Sequence, residues 1–179
     1  MKSYIQISNK IKKFNKTIQV SGDKSISIRC VLLASQAIGT SKIYNLLESE
    51  DVINALKSIK KLGINYKKLK KYYEITGFGL AGFNTNSKIK LDAGNSGTFA
   101  RLILGLLVNS NNQITLIGDK SLSKRDFSRV TKPLEMFGAN IKSHNKNLPV
   151  KIIGSKFLRP IEYSEKLGSA QCKSAIMLA

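Results

Sequence analysis

Three short segments of this chain place small polar residues where a helix would begin. They are Ser21-Gly22-Asp23-Lys24-Ser25, Gly94-Asn95-Ser96-Gly97-Thr98 and Gly168-Ser169-Ala170-Gln171. A cation follows each within roughly a turn and a half of helix: Arg29, Arg101 and Lys173. A helix N-terminus carries unpaired N–H groups and a partial positive charge. Phosphate and carboxylate groups bind there, most closely when small side chains let them approach the backbone. Any one of Ser25, Ser96 and Ser169 reads on its own as an ordinary N-cap. Three such openings, each with glycine beside it, point instead to a ligand with several negative charges. The condition is that the segments are related by rotation, so that their helix ends converge. Arg125 stands just before a further predicted helix, where a guanidinium can grip phosphate or carboxylate through two bonds.

Groups for proton transfer are scarce. His144 is the only histidine and falls in a polar stretch, residues 140–148. Near the proposed anion site the only carboxylates are Asp23 and Asp51. The run Ser49-Glu50-Asp51 suits a helix start by capping and dipole, so it reads as structural. Gly118-Asp119-Lys120-Ser121 lacks the spacing of a P-loop. Cys30 and Cys172 have no metal-ligand spacing and read as reduced thiols in or near the core. No metal is expected. From the residues alone this is an anion-binding half-site without acid–base machinery.

The elements that carry these segments repeat. Residues 17–20 alternate like a strand, and residues 24–38 have helical spacing. Strand 41–45, helix 49–62, strand 64–69 and strand 72–76 follow, closed by Gly77. The order βαβαββ then recurs: strand 88–92, helix 97–108, strand 113–117, helix 126–137, strands 140–143 and 150–153, closed by Gly154. A third unit opens at Pro160, with strand 161–164 and helix 169–179. The units are thus 17–79, 88–155 and 160–179. Stopping a unit after its first helix leaves a sheet unfinished, so the expectation is an α/β domain with a truncated third unit.

The 179 residues carry 30 Lys and Arg against 11 Asp and Glu, a net charge of +19. One reading is a domain for nucleic acid or another polyanion. The other is a lysine-rich solvated surface, with clusters at 10–16 and 67–71. The second is preferred, since no stripe interleaves lysines with aromatics; no nucleic acid is expected as partner. The charge should still draw in small phosphorylated ligands. The longest apolar stretch, residues 102–108, is far short of the ~20 residues of a membrane span, and residues 1–14 lack the apolar core of a secretory leader. No membrane association and a cytoplasmic location are expected.

Four of these segments together resemble the EPSP synthase family of enolpyruvyl transferases. The first is Gly22-Asp23-Lys24-Ser25-Ile26-Ser27-Ile28-Arg29. The second is Leu91-Asp92-Ala93-Gly94-Asn95-Ser96-Gly97-Thr98 with Arg101. The third runs from Gly118-Asp119 through Ser121-Leu122 to Arg125, then Arg129-Val130 and Pro133-Leu134. The fourth is Ser169-Ala170-Gln171-Cys172-Lys173-Ser174-Ala175. The resemblance covers residue 17 to the end. It implies a fold of two similar domains, an inverse α/β barrel, each domain built from three βαβαββ units around a shared active site. Residues 17–179 would form most of one domain, and residues 1–16, with a strand-like stretch at 4–7, would belong to the other.

The implied reaction transfers the enolpyruvyl group of phosphoenolpyruvate to the 5-hydroxyl of shikimate 3-phosphate and releases phosphate. By motif position Lys24 would act electrostatically in catalysis and touch both substrates. Ser25, Arg29, Ser169, Ala170 and Gln171 would join it in holding shikimate 3-phosphate. Asn95, Gly97, Arg125 and Gln171 would hold phosphoenolpyruvate. The family's main acid–base groups lie in the second domain, which this chain lacks, so the chain alone is expected to be inactive. No cofactor is implied, and a monomer is expected when the second domain is present. Ser21 and Ile28 stand where the family has Pro and His, and Asp126-Phe127 where it has Pro-Met. Asp126 would put a negative charge beside Arg125. The alternatives are the related transferase acting on UDP-N-acetylglucosamine and a basic nucleic-acid-binding domain. The former typically uses a cysteine in the segment 120–125, and none stands there.

Overall fold

The computed structural model describes residues 4–10, 12–80, 82–83, 88–165 and 167–179, a mixed α/β structure. Helix α1 spans Lys24–Gln36. It starts at Asp23, whose backbone is extended and whose side chain accepts the Ile26 N–H at 2.7 Å. The cap is therefore Asp23, not Ser25. The reason is position: Ser25 already lies inside the first turn, where its backbone is helical. Strand β1 (Ile38–Tyr44), helix α2 (Glu50–Lys61), strand β2 (Asn65–Lys68) and strand β3 (Tyr72–Phe78) follow. The acids Glu50 and Asp51 open α2 and Lys60 and Lys61 close it, matching the helix dipole at both ends. The three strands pair antiparallel in the order β1-β3-β2. On this sheet Lys42 and Lys68 lie over the rings of Tyr72 and Tyr73 at 5.3 and 5.9 Å, so part of the basic surface is engaged within the molecule.

The second unit comprises β4 (Ile89–Asp92), α3 (Gly97–Leu106), β5 (Ile114–Ile117), a 3-10 turn (Leu122–Lys124), α4 (Ser128–Met136), β6 (Asn140–His144) and β7 (Asn147–Ile153). Its sheet runs β4-β5-β7-β6, with β4 and β5 parallel and the other pairs antiparallel. Parallel neighbours need a crossover, and α3 supplies it. Helix α5 (Ala170–Met177) is the last element of the described residues.

The repeat is visible in the packing. Gly77 and Gly154 end equivalent strands under the last turn of the first helix of each unit. A β-carbon on Gly77 would stand 2.4 Å from the Ala37 carbonyl oxygen, and one on Gly154 2.4 Å from that of Val108. Only glycine fits where two backbones approach so closely.

Three expected strands are absent. Residues 4–7, 17–20 and 161–164 form no ladder. Alternation suits a strand only if one face is buried and an edge is paired. Ile18 and Val20 remain exposed, and among the described residues the one hydrogen bond to 17–20 is a long one, 3.4 Å, from Asn45 Nδ2 to the Val20 carbonyl. The second unit is thus βαβαββ, whereas the first lacks its opening strand.

One apolar core runs through both units. At its centre is α3, which packs on α1, α4 and α5. Every residue of α3 except Arg101 is buried. A helix apolar all round belongs in the middle of a domain, and its lone cation then marks the site.

Candidate functional site

The α3 N-terminus is built by short polar bonds. Asp92 accepts the Gly94 N–H at 2.8 Å, and buried Ser96 caps the helix by accepting from Phe99 N–H at 3.2 Å. Asn95 Nδ2 donates to Asp119 Oδ2 at 2.6 Å, and Asp119 Oδ1 accepts the Leu122 N–H at 2.7 Å. Asp119 thereby ties the 94–98 loop to the 3-10 turn that ends at Arg125. The Asn95 amide first, then the Leu122 N–H, hold the Asp119 carboxyl below the usual carboxylate range.

Two guanidinium groups flank Gly97. A β-carbon there would stand 2.7 Å from Arg101 Nη1 and 3.0 Å from Arg125 Nη1. Arg101 donates to the Gly97 carbonyl at 3.2 Å and to Gln171 Oε1 at 3.1 Å, and lies over the buried Phe127 ring at 5.1 Å. Burial lowers its pKa from the ordinary arginine value, and the nearby charges of Arg125 and Arg129 lower it further. Gln171 Nε2 donates to Thr98 at 3.0 Å, which closes the link between α3 and α5. Ser169 caps α5, accepting the Cys172 N–H at 3.3 Å. Ala170 follows as the exposed first residue of that helix. Two cations at a helix N-terminus, with no carboxylate among the described residues bonded to either arginine, favour an anion.

At α1, Lys24 Nζ sits 2.9 Å from the largely buried Asp51 of α2. Arg29 donates to the Ser25 carbonyl at 3.2 Å, the same bond back along the helix that Arg101 makes to Gly97. One turn along α2 from Asp51, Asn54 meets the second loop: a β-carbon on Gly94 would lie 2.6 Å from its Nδ2. One face of α2 thus reaches both Lys24 and the loop that opens α3.

The structure therefore gathers Gly97, Arg101, Arg125, Gln171 and Thr98 at one point, with Lys24, Ser25 and Arg29 on the adjoining α1 end. Asn95 is turned to Asp119 and acts as a brace for the loop. The three cations are not in register. Arg29, Arg101 and Lys173 lie six, five and four positions after their caps Asp23, Ser96 and Ser169, and Lys173 is exposed. Each position turns a helical side chain by about 100°, so equivalent spacing in the sequence did not mean an equivalent face. Asp126 makes no ion pair with Arg125 among the described residues; its carboxylate accepts the Ser128 N–H at 2.6 Å and fixes the start of α4. His144 lies exposed at the β6–β7 hairpin. Asn54 and Phe127 were not legible as site residues, and Asp51 reads as structural. Their side chains arrive from other elements, and no spacing rule connects them.

The family model for EPSP synthase (3-phosphoshikimate 1-carboxyvinyltransferase) matches residues 8–179. The curated 3-phosphoshikimate 1-carboxyvinyltransferase of Alkaliphilus oremlandii is 42% identical over 175 residues, 97% of this chain and 40% of that protein. Those of Streptococcus mutans and Vesicomyosocius okutanii are 41% and 43% identical, over 91% and 90% of this chain and 38% and 37% of theirs. A solved EPSP synthase from Acinetobacter baumannii superposes with a TM-score of 0.83 at 36% identity, covering 90% of this chain and 37% of its own. The chain spans about two fifths of the length of the curated relatives it matches.

Proposed function

The chain belongs to the EPSP synthase family, and on that premise we propose that the full-length protein transfers the enolpyruvyl group of phosphoenolpyruvate to shikimate 3-phosphate. The observation that carries this reading is the pair of guanidiniums, Arg101 and Arg125, crowded onto glycine at a helix N-terminus. It is a place for a carboxylate or phosphate that needs close backbone approach.

In this reading the phosphoenolpyruvate methylene takes a proton and its C2 becomes electrophilic. The 5-hydroxyl oxygen of shikimate 3-phosphate attacks C2 and gives up its proton. Phosphate then leaves as the methyl group loses a proton, restoring the double bond. Lys24, Gly97, Arg125 and Gln171 hold phosphoenolpyruvate and stabilise charge on the tetrahedral intermediate. Asn95 serves that subsite by bracing its loop against Asp119. Lys24, Ser25, Arg29, Ser169, Ala170 and Gln171 hold shikimate 3-phosphate. The proton-transfer groups come from the remainder of the polypeptide, and closure of a second domain excludes water.

The proposed organisation is one domain from residues 17–179, with units 17–79, 88–155 and one opening at 160, and residues 1–16 in the other domain. No helix among the described residues is long and apolar enough to cross a membrane; the proposal includes a cytoplasmic monomer without cofactor. The test is phosphate release by the full-length protein. Release should require both substrates together and fall at least about a hundredfold in Arg125→Ala. Release from phosphoenolpyruvate alone, or an unaffected variant, would reject the reading.

A further inference from the structure

Between Arg159, whose N–H donates to the Phe137 carbonyl at 3.0 Å, and the α5 cap Ser169, the described chain has no helix, strand or backbone–backbone hydrogen bond. This stretch must nevertheless deliver Gln171 to within hydrogen-bonding distance of Arg101 and Thr98. Glu165 is the side chain that holds it. Its side chain is 5% exposed. Oε1 accepts from Arg129 Nη2 at 2.7 Å and from the Leu167 N–H at 3.2 Å, and Oε2 accepts from the Tyr163 hydroxyl at 3.2 Å.

A carboxylate so enclosed persists only if it is paired and hydrogen-bonded. Arg129, then the Leu167 N–H and the Tyr163 hydroxyl, hold the Glu165 carboxyl below the usual range, so the pair is ionic at neutral pH. With both oxygens engaged, Glu165 is not free to act as a base. Arg129 lies in the first turn of α4, four residues after Arg125. On the other side, Leu167 is followed by Gly168 in the left-handed region (φ +64°) and then by the Ser169 cap. One ion pair therefore joins the helix that follows Arg125 to the turn that sets Gln171.

We propose that Glu165 and Arg129 are positioning residues, whose ion pair sets Ser169, Ala170 and Gln171 against α3 so that the site is formed before substrate arrives. The substrate class rests on the function proposed above, but the positioning does not.

The test uses the full-length protein in two measurements. In Glu165→Ala, the amides of Cys172 and Lys173, both bonded to Ser169, should lose at least about tenfold in hydrogen-exchange protection while α1 is unchanged. The KM for shikimate 3-phosphate should rise about tenfold, with kcat within about threefold. The reversed pair R129E/E165R should recover most of both losses relative to either single change. A Glu165→Ala protein with parental exchange and KM, or a reversed pair no better than its worse single variant, overturns the proposal. If the parent does not turn over these substrates, the function reading fails and the exchange data alone decide the role of the pair.

Discussion

Gly97 and Arg125 are so close that a single methyl group on Gly97 would stand 3.0 Å from the guanidinium. Arg101 is closer still, at 2.7 Å. Both obstacles are the far ends of flexible side chains, which can swing aside without disturbing the fold. Gly97→Ala should therefore leave the melting temperature of the protein nearly unchanged. The methyl would also occupy the approach to the α3 N-terminus, so the KM for phosphoenolpyruvate should rise about tenfold or more. Thermal melting together with steady-state kinetics checks this; a large loss of stability with an unaltered KM would contradict the assignment.

Asp51 looked like a helix-start residue, and in the fold it also faces Lys24. Half of the Lys24 side chain is exposed, so the pair adds little stability. Its effect is to hold the ammonium at the α1 end beside the loop that Asn54 touches. Asp51→Asn should shift melting by less than about 1 kcal/mol. Affinity for both substrates should drop several-fold, because the ammonium then samples more positions. Calorimetric titration of shikimate 3-phosphate into the full-length variant is the direct measurement, and parental affinity would remove Asp51 from the site.

Much of this was legible in the sequence because repeats and glycines speak locally. The helices, the order of β1 to β7 and the α3 opening follow from periodicity and caps. Residues 17–20 and 161–164 misled because alternation reports a possible face and not the presence of a partner strand. The alternative reading of Ser25 as an N-cap does not hold, because Asp23, two residues earlier, caps α1. The contacts of Phe127 with Arg101, and of Gln171 with Thr98 across 73 positions, exist only once α3, α4 and α5 have packed.

The Asp119 carboxyl lies below its ordinary range because Asn95 and the Leu122 N–H bind its charged form. A lowered value in the folded protein makes a contribution to stability that is complete above about pH 4. The contribution is lost as pH falls through the folded value. Asn95→Ala removes the larger cause, so the carboxyl should titrate closer to its ordinary value, and the loss should be smaller and complete at a higher pH. Carbon-detected NMR titration of Asp119 reads this directly. An unmoved midpoint would mean that the Leu122 N–H, and not Asn95, dominates.

Gly105 lies two turns along α3 from Gly97 and should give the opposite signature. A β-carbon there would stand 2.1 Å from the Ala175 carbonyl oxygen and 2.9 Å from its carbon, both backbone atoms of α5. Backbone cannot swing aside, so the helices must separate, and overpacking of this kind costs roughly 1–3 kcal/mol. Gly105→Ala should lower the melting temperature by several degrees. Separation would also pull Gln171 away from Thr98 and Arg101, whose bonds to it are 3.0 and 3.1 Å. The amides of Cys172 and Lys173, both bonded to Ser169, should then exchange faster than they do in Gly97→Ala. Two alanines in one helix thus distinguish a contact that binds ligand from one that holds helices together. A Gly105→Ala protein that melts with the parent would show that α3 and α5 do not cross as closely as described.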